Sequence, residues 1–350
     1  MDPNANKKGL HNKLNKEQAI ARLKVENFKR KTISFYKYVL LSDLEVYRDY
    51  LFDAWKKLGV LGRVYIAQEG INAQISVPEY SLKSFRKSVD NYSELKDVSF
   101  KIAVQESDFS FYKLTIKVRK QIVADGLTLD QYDVTNVGNH LDAEQWNKAI
   151  EEGAIVVDMR NHYESEIGRF ENAICPQSET FKEELPEVKD LLKGKEDQKV
   201  ILYCTGGIRC EKTSAYLKHH GFEDVNQLHG GIIDYVRQLE ENEDMVNKFK
   251  GKNFVFDERL GERVSKEVIS NCHQCGVKAD SHINCKNVNC NLLFIQCQSC
   301  QSDHQKCCSP ECMRLKNLPE DQQKEIRKGK ENKERFHSHQ KVDLSQAFKK

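Results

Sequence analysis

One cysteine of this chain stands at the head of a glycine turn, in the segment YCTGGIRCEKTSA at residues 203–215. The apolar run before it is typical of a strand and the spacing after it is helical, so Cys204 is predicted where a strand turns into a helix. Glycines let successive backbone N–H groups point into one small bowl, to which the helix adds the positive end of its dipole. Such surroundings lower a thiol pKa from about 8.5 toward roughly 3.5–7.5. Cys204 is therefore predicted to be a thiolate nucleophile at neutral pH.

The length of this loop limits the anion that it can hold. Cysteine-dependent phosphatases place one residue more between their cysteine and arginine, which is enough to surround a tetrahedral phosphate. We expect Arg209 to hold the loop or its anion, and Cys210 either to resolve an oxidised Cys204 or to pack as an ordinary buried thiol. The alternative for Cys204 itself is a buried structural cysteine beside a helix cap. The cradle between cysteine and arginine consists of Thr205, Gly206, Gly207 and Ile208.

This tight loop resembles the active site of the rhodanese family, in which the cradle stabilises a cysteine persulfide. Two further segments carry the resemblance in the correct order. VVDMRNHYESEIGRFENAI at 156–174 looks like the family's strand, acidic-arginine turn and glycine segment, and GFEDVNQLHGGIIDY at 221–235 looks like its closing strand and GG-I turn. One departure is Arg169-Phe170, which stands where many rhodaneses have His-Ile. The resemblance implies an α/β domain with a parallel sheet, outside the standard subgroup.

Composition is that of an ordinary soluble protein. With 350 residues and a hydrophobic fraction of 39%, the chain is long enough for two or three domains with a sizeable core. The net charge of only +2 gives no overall field for nucleic acid, although both ends are locally basic, either as binding arms or as solvated tails. No signal peptide is visible and no apolar run approaches the roughly 20 residues of a bilayer span, so a cytoplasmic protein without membrane contact is predicted. In that compartment twelve cysteines favour metal and redox chemistry over disulfides.

Secondary-structure patterns divide the chain into five regions. The first strands and helices predict a ferredoxin-like layer, β-α-β-α-β with one added strand, in which RVYIAQEGINAQISV is a strand broken at Gly70. The strands IVVDM, KVILY and VNQLH, separated by helices, predict a parallel α/β unit. The predicted fold class is thus α/β and α+β multidomain. The regions are a basic arm at 1–30, a ferredoxin-like domain at 31–126, a linker plus rhodanese domain at 127–250, a cysteine-rich zinc-binding segment at 251–315 and a charged tail at 316–350.

The cysteine-rich segment carries four cysteine pairs. Two are C-x2-C knuckles and two are looser, and together they supply ligands for two tetrahedral zinc ions. A segment with so few apolar residues gains on the order of 10 kcal/mol of folding free energy from each metal, and a closed four-sulfur site leaves no position for catalysis. The spacing leaves open whether pairs one and two share an ion or pairs one and three cross-brace, and whether Cys307, His273 or His304 replaces a ligand. The predicted ligands are Cys272, Cys275, Cys285, Cys290, Cys297, Cys300, Cys308 and Cys312.

The order of the regions points to a more specific family. A ferredoxin-like domain with RVYIAQEGINAQIS and FYKLTIKVRKQIV precedes a rhodanese domain with CTGGIRCEK and a cysteine-rich extension. This order resembles the bacterial tRNA uridine hydroxylase family, whose members use oxygen to convert the wobble uridine, position 34, to 5-hydroxyuridine. The resemblance implies an oxidoreductase with molecular oxygen as co-substrate, a tRNA anticodon loop as partner, an electron donor that the sequence does not identify, and Cys204 as the essential cysteine. The sequence contains no flavin, haem or non-haem iron motif. The oligomeric state stays open.

Candidate RNA contacts lie in the N-terminal domain. In FYKLTIKVRKQIV, Lys113, Lys117 and Arg119 share one face of a predicted strand and can meet phosphates, with a solvated edge strand as the alternative. Tyr65 and Phe111 either stack on a base or belong to the core.

The sequence leaves open two chemical routes for the hydroxylation and two alternative functions for the protein. A thiolate adds at C6 of a uracil, or it is oxidised to a peroxidic or sulfenic species that hands over oxygen. An anticodon loop already exposes its bases, so the enzyme need not open a duplex. The competing classes are a sulfurtransferase that carries a persulfide on Cys204 and a non-catalytic RNA-binding adaptor.

Overall fold

The computed structural model describes residues 14, 16–105, 109–127, 131–328 and 342–348. Most of the predicted basic arm and residues 329–341 of the charged tail lie outside these ranges, and the part of the arm that is described forms helix α1 (Lys16–Lys24). Within the described ranges, no helix combines the length and the apolarity that crossing a bilayer requires.

The N-terminal domain is one five-stranded sheet with two helices on a single face. The strand order is β4-β1-β3-β2-β5, in which β2 and β5 are parallel and the other neighbours are antiparallel. The ferredoxin-like prediction is confirmed, with chain order β-α-β-β-α-β and the fifth strand added at an edge. The elements are β1 (Arg30–Tyr38), α2 (Leu44–Lys57), β2 (Leu61–Ala67), β3 (Gly70–Pro78), α3 (Leu82–Asp90), β4 (Lys101–Ile102) and β5 (Leu114–Val118).

The predicted strand broken at Gly70 is wrong, because β2 and β3 form a hairpin. Gly70 has φ +141°, and a Cβ added there would lie 2.0 Å from the carbonyl oxygen of Lys37. Only glycine allows strand β1 to approach this closely, so the glycine begins a new strand instead of interrupting an old one. Strands β4 and β5 are also shorter than the sequence patterns predict, although Ala103, Lys113 and Arg119 just beyond their ends still make backbone hydrogen bonds to neighbouring strands.

Alternation along β1 gives the sheet two different faces. Ile33 and Phe35 pack with Trp55 and Phe85 under the helices and are almost fully buried. Tyr36 and the other residues of opposite parity face away from those helices, toward the second domain. The face without helices is therefore the one that meets the rhodanese-like domain.

The second domain contains the predicted parallel sheet. Its order is β6-β10-β9-β7, and all three ladders are parallel. The three predicted strands are confirmed. The sequence analysis did not predict β6, because this strand is only three residues long and its first two, Asn139 and His140, are polar. The elements are β6 (Asn139–Leu141), α4 (Ala143–Glu151), β7 (Ile155–Asp158), α5 (His162–Ile167), β8 (Gly168–Phe170), α6 (Phe181–Leu191), β9 (Val200–Tyr203), α7 (Ile208–His219), β10 (Val225–Leu228) and α8 (Gly231–Glu241).

The last third of the described chain has short elements only. Strand β11 (Phe249–Asn253) lies between β8 and β12 (Glu262–Arg263) and so attaches this part to the rhodanese-like domain. A two-stranded ribbon and three short helices follow, around two groups of cysteines. Their ranges are β13 (His282–Asn284), β14 (Leu293–Ile295), α9 (Gln298–Asp303), α10 (Pro310–Lys316) and α11 (Glu320–Arg327).

A buried ion cluster joins the first two domains. Lys212 in α7 is 1% exposed. Its ammonium donates to Glu69, in the β2–β3 turn, at 2.9 and 3.1 Å and lies 3.0 Å from a carboxylate oxygen of Asp125. Because Glu69 also accepts from the backbone N–H of Ile122 at 2.7 Å, the hairpin, the interdomain segment and α7 are held by one network.

Candidate active site

Cys204 lies at the end of β9, where the loop of residues 204–207 leads directly into α7. Helix α7 begins at Ile208, two residues earlier than the predicted start near Cys210. Gly207 caps the helix with φ +94° and its backbone N–H donates to Cys204 Sγ at 3.1 Å. The glycine conformation therefore turns an amide toward the sulfur, as the sequence predicted. Cys204 has no exposed surface in this site.

The surroundings of Cys204 favour its thiolate. Burial alone raises a thiol pKa, but the thiol of Cys210, the charge of Arg209 and backbone N–H groups of the loop together hold the pKa of Cys204 down to about 5. Cys210 responds in the opposite direction, because burial and the hydrogen bond to Cys204 raise its pKa well above the usual value. At neutral pH Cys204 is thus the charged sulfur and Cys210 the neutral hydrogen-bond donor.

Arg209 does not point into the loop as a free cation. Its guanidinium makes a bidentate ion pair with Glu164 of α5, at 2.7 and 2.9 Å, and the Glu164 side chain has no exposed surface. The pair ties the loop to α5 and fixes one positive charge beside the thiolate. Sequence reasoning missed Glu164, although the acidic pattern after strand β7 was the signal that could have found it.

The second glycine turn of the domain closes over the same loop. Gly231 has φ +67°, and a Cβ added there would lie 2.5 Å from the carbonyl oxygen of Cys204. The backbone N–H groups of Ile232 and Ile233 donate to the carbonyls of Cys204 and Thr205 at 3.0 and 3.2 Å. The GG-I turn therefore satisfies the outward carbonyls of the loop while the loop amides point inward at the sulfur.

A cavity of about 480 Å³ separates the Cys204 loop from the helix-free face of the N-terminal sheet. Cys204, Thr205 and Gly206 form part of its lining from the rhodanese-like domain. The N-terminal domain contributes aromatic rings, among them Tyr65 and Phe111, which the sequence reading could assign either to a base platform or to the core. Aromatic rings of one domain and the Cys204 loop of the other therefore line the same cavity.

Two further residues of the N-terminal sheet approach the loop. The hydroxyl of Tyr36 donates to Glu211 at 3.0 Å, and Glu211 also accepts from the amide of Gln227 at 2.9 Å and lies 3.0 Å from Nε2 of His140. The ammonium of Lys101 lies 4.6 Å from the centre of the Tyr36 ring and lines the cavity. Neither Tyr36 nor Lys101 was among the predicted site residues, because each reaches the site only through the packing of the two domains.

The predicted RNA contacts lie at the edge of the N-terminal sheet. Lys117 is inside β5, and Lys113 and Arg119 lie just outside its two ends, where the carbonyl of Lys113 accepts from Gly62 at 2.9 Å and the N–H of Arg119 donates to Ile66 at 2.8 Å. Lys113 and Arg119 are exposed, and the Arg119 guanidinium lies 5.5 Å from the ring centre of Tyr65. Their contact with RNA stays a prediction.

The eight predicted metal ligands form two groups of four. In each group the four sulfur atoms all lie within 4.8 Å of one another. The first and third cysteine pairs along the chain form one group, and the second and fourth form the other. Of the two pairings that the spacing left open, the cross-braced one is therefore present. The groups are Cys272, Cys275, Cys297 and Cys300, and Cys285, Cys290, Cys308 and Cys312. Four converging thiols are the donor arrangement of a structural zinc site, so both groups fit that ion.

The other sulfur and imidazole candidates lie elsewhere. Cys307 is buried and contacts the carbonyl of Gln305, His273 lies 2.8 Å from a carboxylate oxygen of Glu166, and His304 stacks on Phe348. None of them replaces a cysteine in either group. All twelve cysteines fall in the described ranges and each is free of disulfide bonds.

Comparison with known proteins identifies the parts of the chain. A model described as the UPF0176 acylphosphatase-like domain matches residues 30–122, the rhodanese-like domain matches 142–238 and the Rhodanase C-terminal model matches 250–313. The chain is 57% identical to the tRNA uridine(34) hydroxylase of Leptospira interrogans, over 96% of this chain and 92% of the relative. It is 49% identical to the enzyme of the same name from Yersinia enterocolitica, over 92% and 93%. A solved rhodanese-like domain from Anabaena covers 33% of this chain and 80% of its own, at 17% identity and a TM-score of 0.26.

The fold and the thiolate loop define a rhodanese-domain protein in which an acylphosphatase-like domain covers the cysteine. Identity of this extent over nearly the whole chain is more specific than the domain match. The chain belongs to the tRNA uridine(34) hydroxylase family.

Proposed function

We propose that this protein hydroxylates the wobble uridine of tRNA to 5-hydroxyuridine, with Cys204 as the catalytic thiolate. The observation that carries the proposal is the near full-length identity to proteins named tRNA uridine(34) hydroxylase, combined with a cysteine of pKa about 5 that lines a cavity between the domains. Molecular oxygen is the co-substrate in this proposal, the anticodon loop is the partner, and a separate electron donor supplies the reducing equivalents. The reaction takes place in the cytoplasm, where tRNA is modified.

The cavity suits a single extruded base. Its volume of about 480 Å³ falls in the range of roughly 300–1,000 Å³ that small-molecule sites occupy. A uracil ring held between the aromatic lining and the loop presents its C5–C6 bond to the sulfur. The thiolate then either adds at C6, which raises the electron density at C5, or passes on oxygen after its own oxidation. Both routes need a charged sulfur, which the loop amides and Arg209 provide.

A sulfurtransferase is the second candidate, favoured by the loop itself. Four residues separate Cys204 from Arg209, as in a cradle that holds a persulfide, and the amides that stabilise a thiolate also stabilise a terminal sulfur anion. This candidate predicts a persulfide on the purified protein and transfer of sulfur to cyanide.

We also propose that the two cysteine groups bind one structural zinc ion each. Cys272, Cys275, Cys297 and Cys300 would hold one ion, and Cys285, Cys290, Cys308 and Cys312 the other. Each ion would neutralise part of the thiolate charge and close the small segment, which has little apolar core of its own.

The test uses cells that lack this gene, complemented with the wild-type chain, Cys204→Ser or Cys175→Ser. Nucleosides of the tRNA are digested and 5-hydroxyuridine is measured by mass spectrometry. Cys204→Ser is expected to lower the modified nucleoside by about 1,000-fold or more, because a serine hydroxyl is not ionised at neutral pH. Cys175, a half-buried thiol that contacts the carbonyl of Ala173, serves as the matched control and is expected to leave the level unchanged.

Three outcomes separate the candidates. Loss of the nucleoside with Cys204→Ser, and binding of tRNA kept within about threefold, supports the hydroxylase. A wild-type chain that restores no 5-hydroxyuridine but carries a persulfide supports the sulfurtransferase. Full restoration by Cys204→Ser contradicts both and leaves a non-catalytic RNA-binding adaptor.

A further inference from the structure

Lys101 is a cation in the cavity, and in the part of the chain that the structure describes it makes no ion pair with a carboxylate. It comes from strand β4 of the N-terminal domain and is 7% exposed. Its chain passes over the Cys204 loop, where a Cβ added to Gly206 would lie 3.9 Å from its Cδ. Its ammonium rests on the ring of Tyr36 at 4.6 Å from the ring centre.

The negative groups around Lys101 act on it at a distance and also have other partners. The negative groups that face it are Asp234, Cys204 and Glu211, and within the described ranges no carboxylate makes an ion pair with its ammonium. Glu211 is engaged with Tyr36, Gln227 and His140, and Asp234 contacts Arg237 at 3.4 Å. The Lys101 side chain is thus held by its contacts with the Tyr36 ring and the Cys204 loop, and not by a salt bridge.

Its closest functional counterpart, Arg209, is in the opposite situation. Both terminal nitrogens of its guanidinium donate to the Glu164 carboxylate, so Arg209, unlike Lys101, has a carboxylate partner within the protein. Burial costs the charged form of Lys101 free energy, which lowers the pKa of its ammonium. A ligand that brings an acceptor into the cavity removes this cost.

We propose that Lys101 is a specificity-determining residue whose ammonium binds the O4 carbonyl of the target uracil and so selects uridine over cytidine. The inference rests on the proposed function, since it names the part of the substrate that the cavity reads. An ammonium has three donors and no acceptor. It can donate a hydrogen bond to the C4 carbonyl of uracil. The C4 amino group of cytosine is itself a donor, so the ammonium and the amino group cannot pair with each other.

The placement also agrees with the site of reaction. The C4 carbonyl is bonded to C5, the carbon that becomes hydroxylated, and the cavity brings Lys101 and Cys204 to one space. Binding at O4 therefore presents the C5–C6 bond to the sulfur, and the same hydrogen bond grows stronger whenever negative charge develops on O4. In this way the N-terminal domain supplies the base reading and the rhodanese-like domain supplies the thiolate.

The experiment measures binding without turnover. Full-length protein is kept anaerobic, and its dissociation constants are determined for two anticodon stem-loop RNAs that differ only in uridine or cytidine at the wobble position. The proteins compared are the wild type, Lys101→Met, Lys101→Arg and Lys83→Met. Lys83 is an exposed residue of α3, on the far side of the sheet from the cavity, and is the matched control for loss of a lysine.

We expect the wild type and Lys83→Met to prefer the uridine RNA by about tenfold or more, since a hydrogen bond to a charged donor contributes roughly 1.5–3 kcal/mol and each 1.4 kcal/mol is tenfold. Lys101→Met should lower that ratio to about twofold or less, mainly by weakening the uridine complex, and Lys101→Arg should keep part of it. Circular dichroism of the variants checks that they are folded.

The inference is overturned if Lys101→Met keeps the full uridine preference, or if the wild type has none. Its failure differs from a failure of the proposed function. A wild type that makes 5-hydroxyuridine in cells but shows no change of ratio with Lys101→Met leaves the hydroxylase in place and removes only the role of Lys101.

Discussion

The Cys204 loop and the cysteine-rich segment use the same side chain in opposite ways. In the loop one sulfur is charged, and a neutral thiol, a buried arginine and backbone N–H groups stabilise it. In the C-terminal segment eight sulfurs converge in two groups of four, where a bound metal ion would compensate the charge of thiolates at such short separations. Sulfur atoms there lie as close as 3.5 Å, between Cys308 and Cys312.

The difference teaches that the spacing of cysteines predicts whether a sulfur meets backbone donors or other sulfurs. A lone cysteine followed by two glycines and an arginine places one sulfur at a ring of donors. Pairs of cysteines three to five positions apart, repeated along the chain, bring sulfurs to each other. The predictions below test this division between a thiolate stabilised by its loop and cysteines that bind a metal.

The largest effect is expected from loss of metal. Elemental analysis of reduced, metal-replete protein should find two zinc ions per chain, and Cys300→Ser should lower the content to about one or less. Because each structural ion supplies on the order of 10 kcal/mol of folding free energy, the C-terminal segment of that variant should become protease-sensitive. Cys204→Ser is the control and should keep both ions. Less than one zinc in the wild type would contradict the assignment.

The second largest effect is expected from breaking the ion pair between Arg209 and Glu164. Glu164→Gln leaves a buried guanidinium without its carboxylate, which typically costs about 3–5 kcal/mol in the free energy of unfolding, measurable by urea denaturation. Arg209→Lys should lose most of the hydroxylation activity, since an ammonium cannot replace the two parallel hydrogen bonds of the guanidinium. If Glu164→Gln is as stable as the wild type, the pair does not hold the loop.

The charge state of Cys204 should appear in its alkylation rate. With a pKa of about 5, the thiolate is present above that pH, so the rate with iodoacetamide should fall as the pH drops through 5 and stay level from 6 to 8. A thiol of pKa about 9 would instead gain about 100-fold in thiolate over two pH units of that upper range. Peptide mass spectrometry distinguishes Cys204 from the other cysteines. A midpoint near 8 or 9 would mean that the loop does not stabilise the anion.

The smallest effect is expected at Cys210. Because it is the neutral donor to Cys204, Cys210→Ser keeps a donor and should retain activity within about threefold, whereas Cys210→Ala should raise the alkylation midpoint of Cys204. A resolving thiol would behave differently, since serine cannot form a disulfide and turnover would stop in both variants. The comparison of the two substitutions under multiple-turnover conditions therefore decides the role.

Local pattern was enough for part of this architecture. The turn at Cys204, the zinc-type cysteine pairs and the parallel strands are each encoded by neighbouring residues, so their prediction from sequence was possible. Glu164 lies 45 residues from Arg209, and Lys101 comes from another domain, so neither appears in any local motif. The grouping of cysteine pairs also depended on the path of the chain between them, which spacing does not specify. The hairpin at Gly70 was missed because a glycine that permits close strand approach looks, in sequence, like one that interrupts a strand.

The buried cluster of Lys212, Glu69 and Asp125 has a consequence for dissection of the protein. A rhodanese fragment cut away from the N-terminal domain would keep Lys212 in a helix interior but lose Glu69, its bidentate acceptor. Water would then replace the contacts of Lys212 with Glu69, Asp125 and the carbonyl of Val123, and α7, the helix that follows the Cys204 loop, would lose the network that holds it to the N-terminal domain. The two domains should therefore melt in a single cooperative transition, and the minimal unit that retains a native Cys204 loop is the pair, not the domain that contains it.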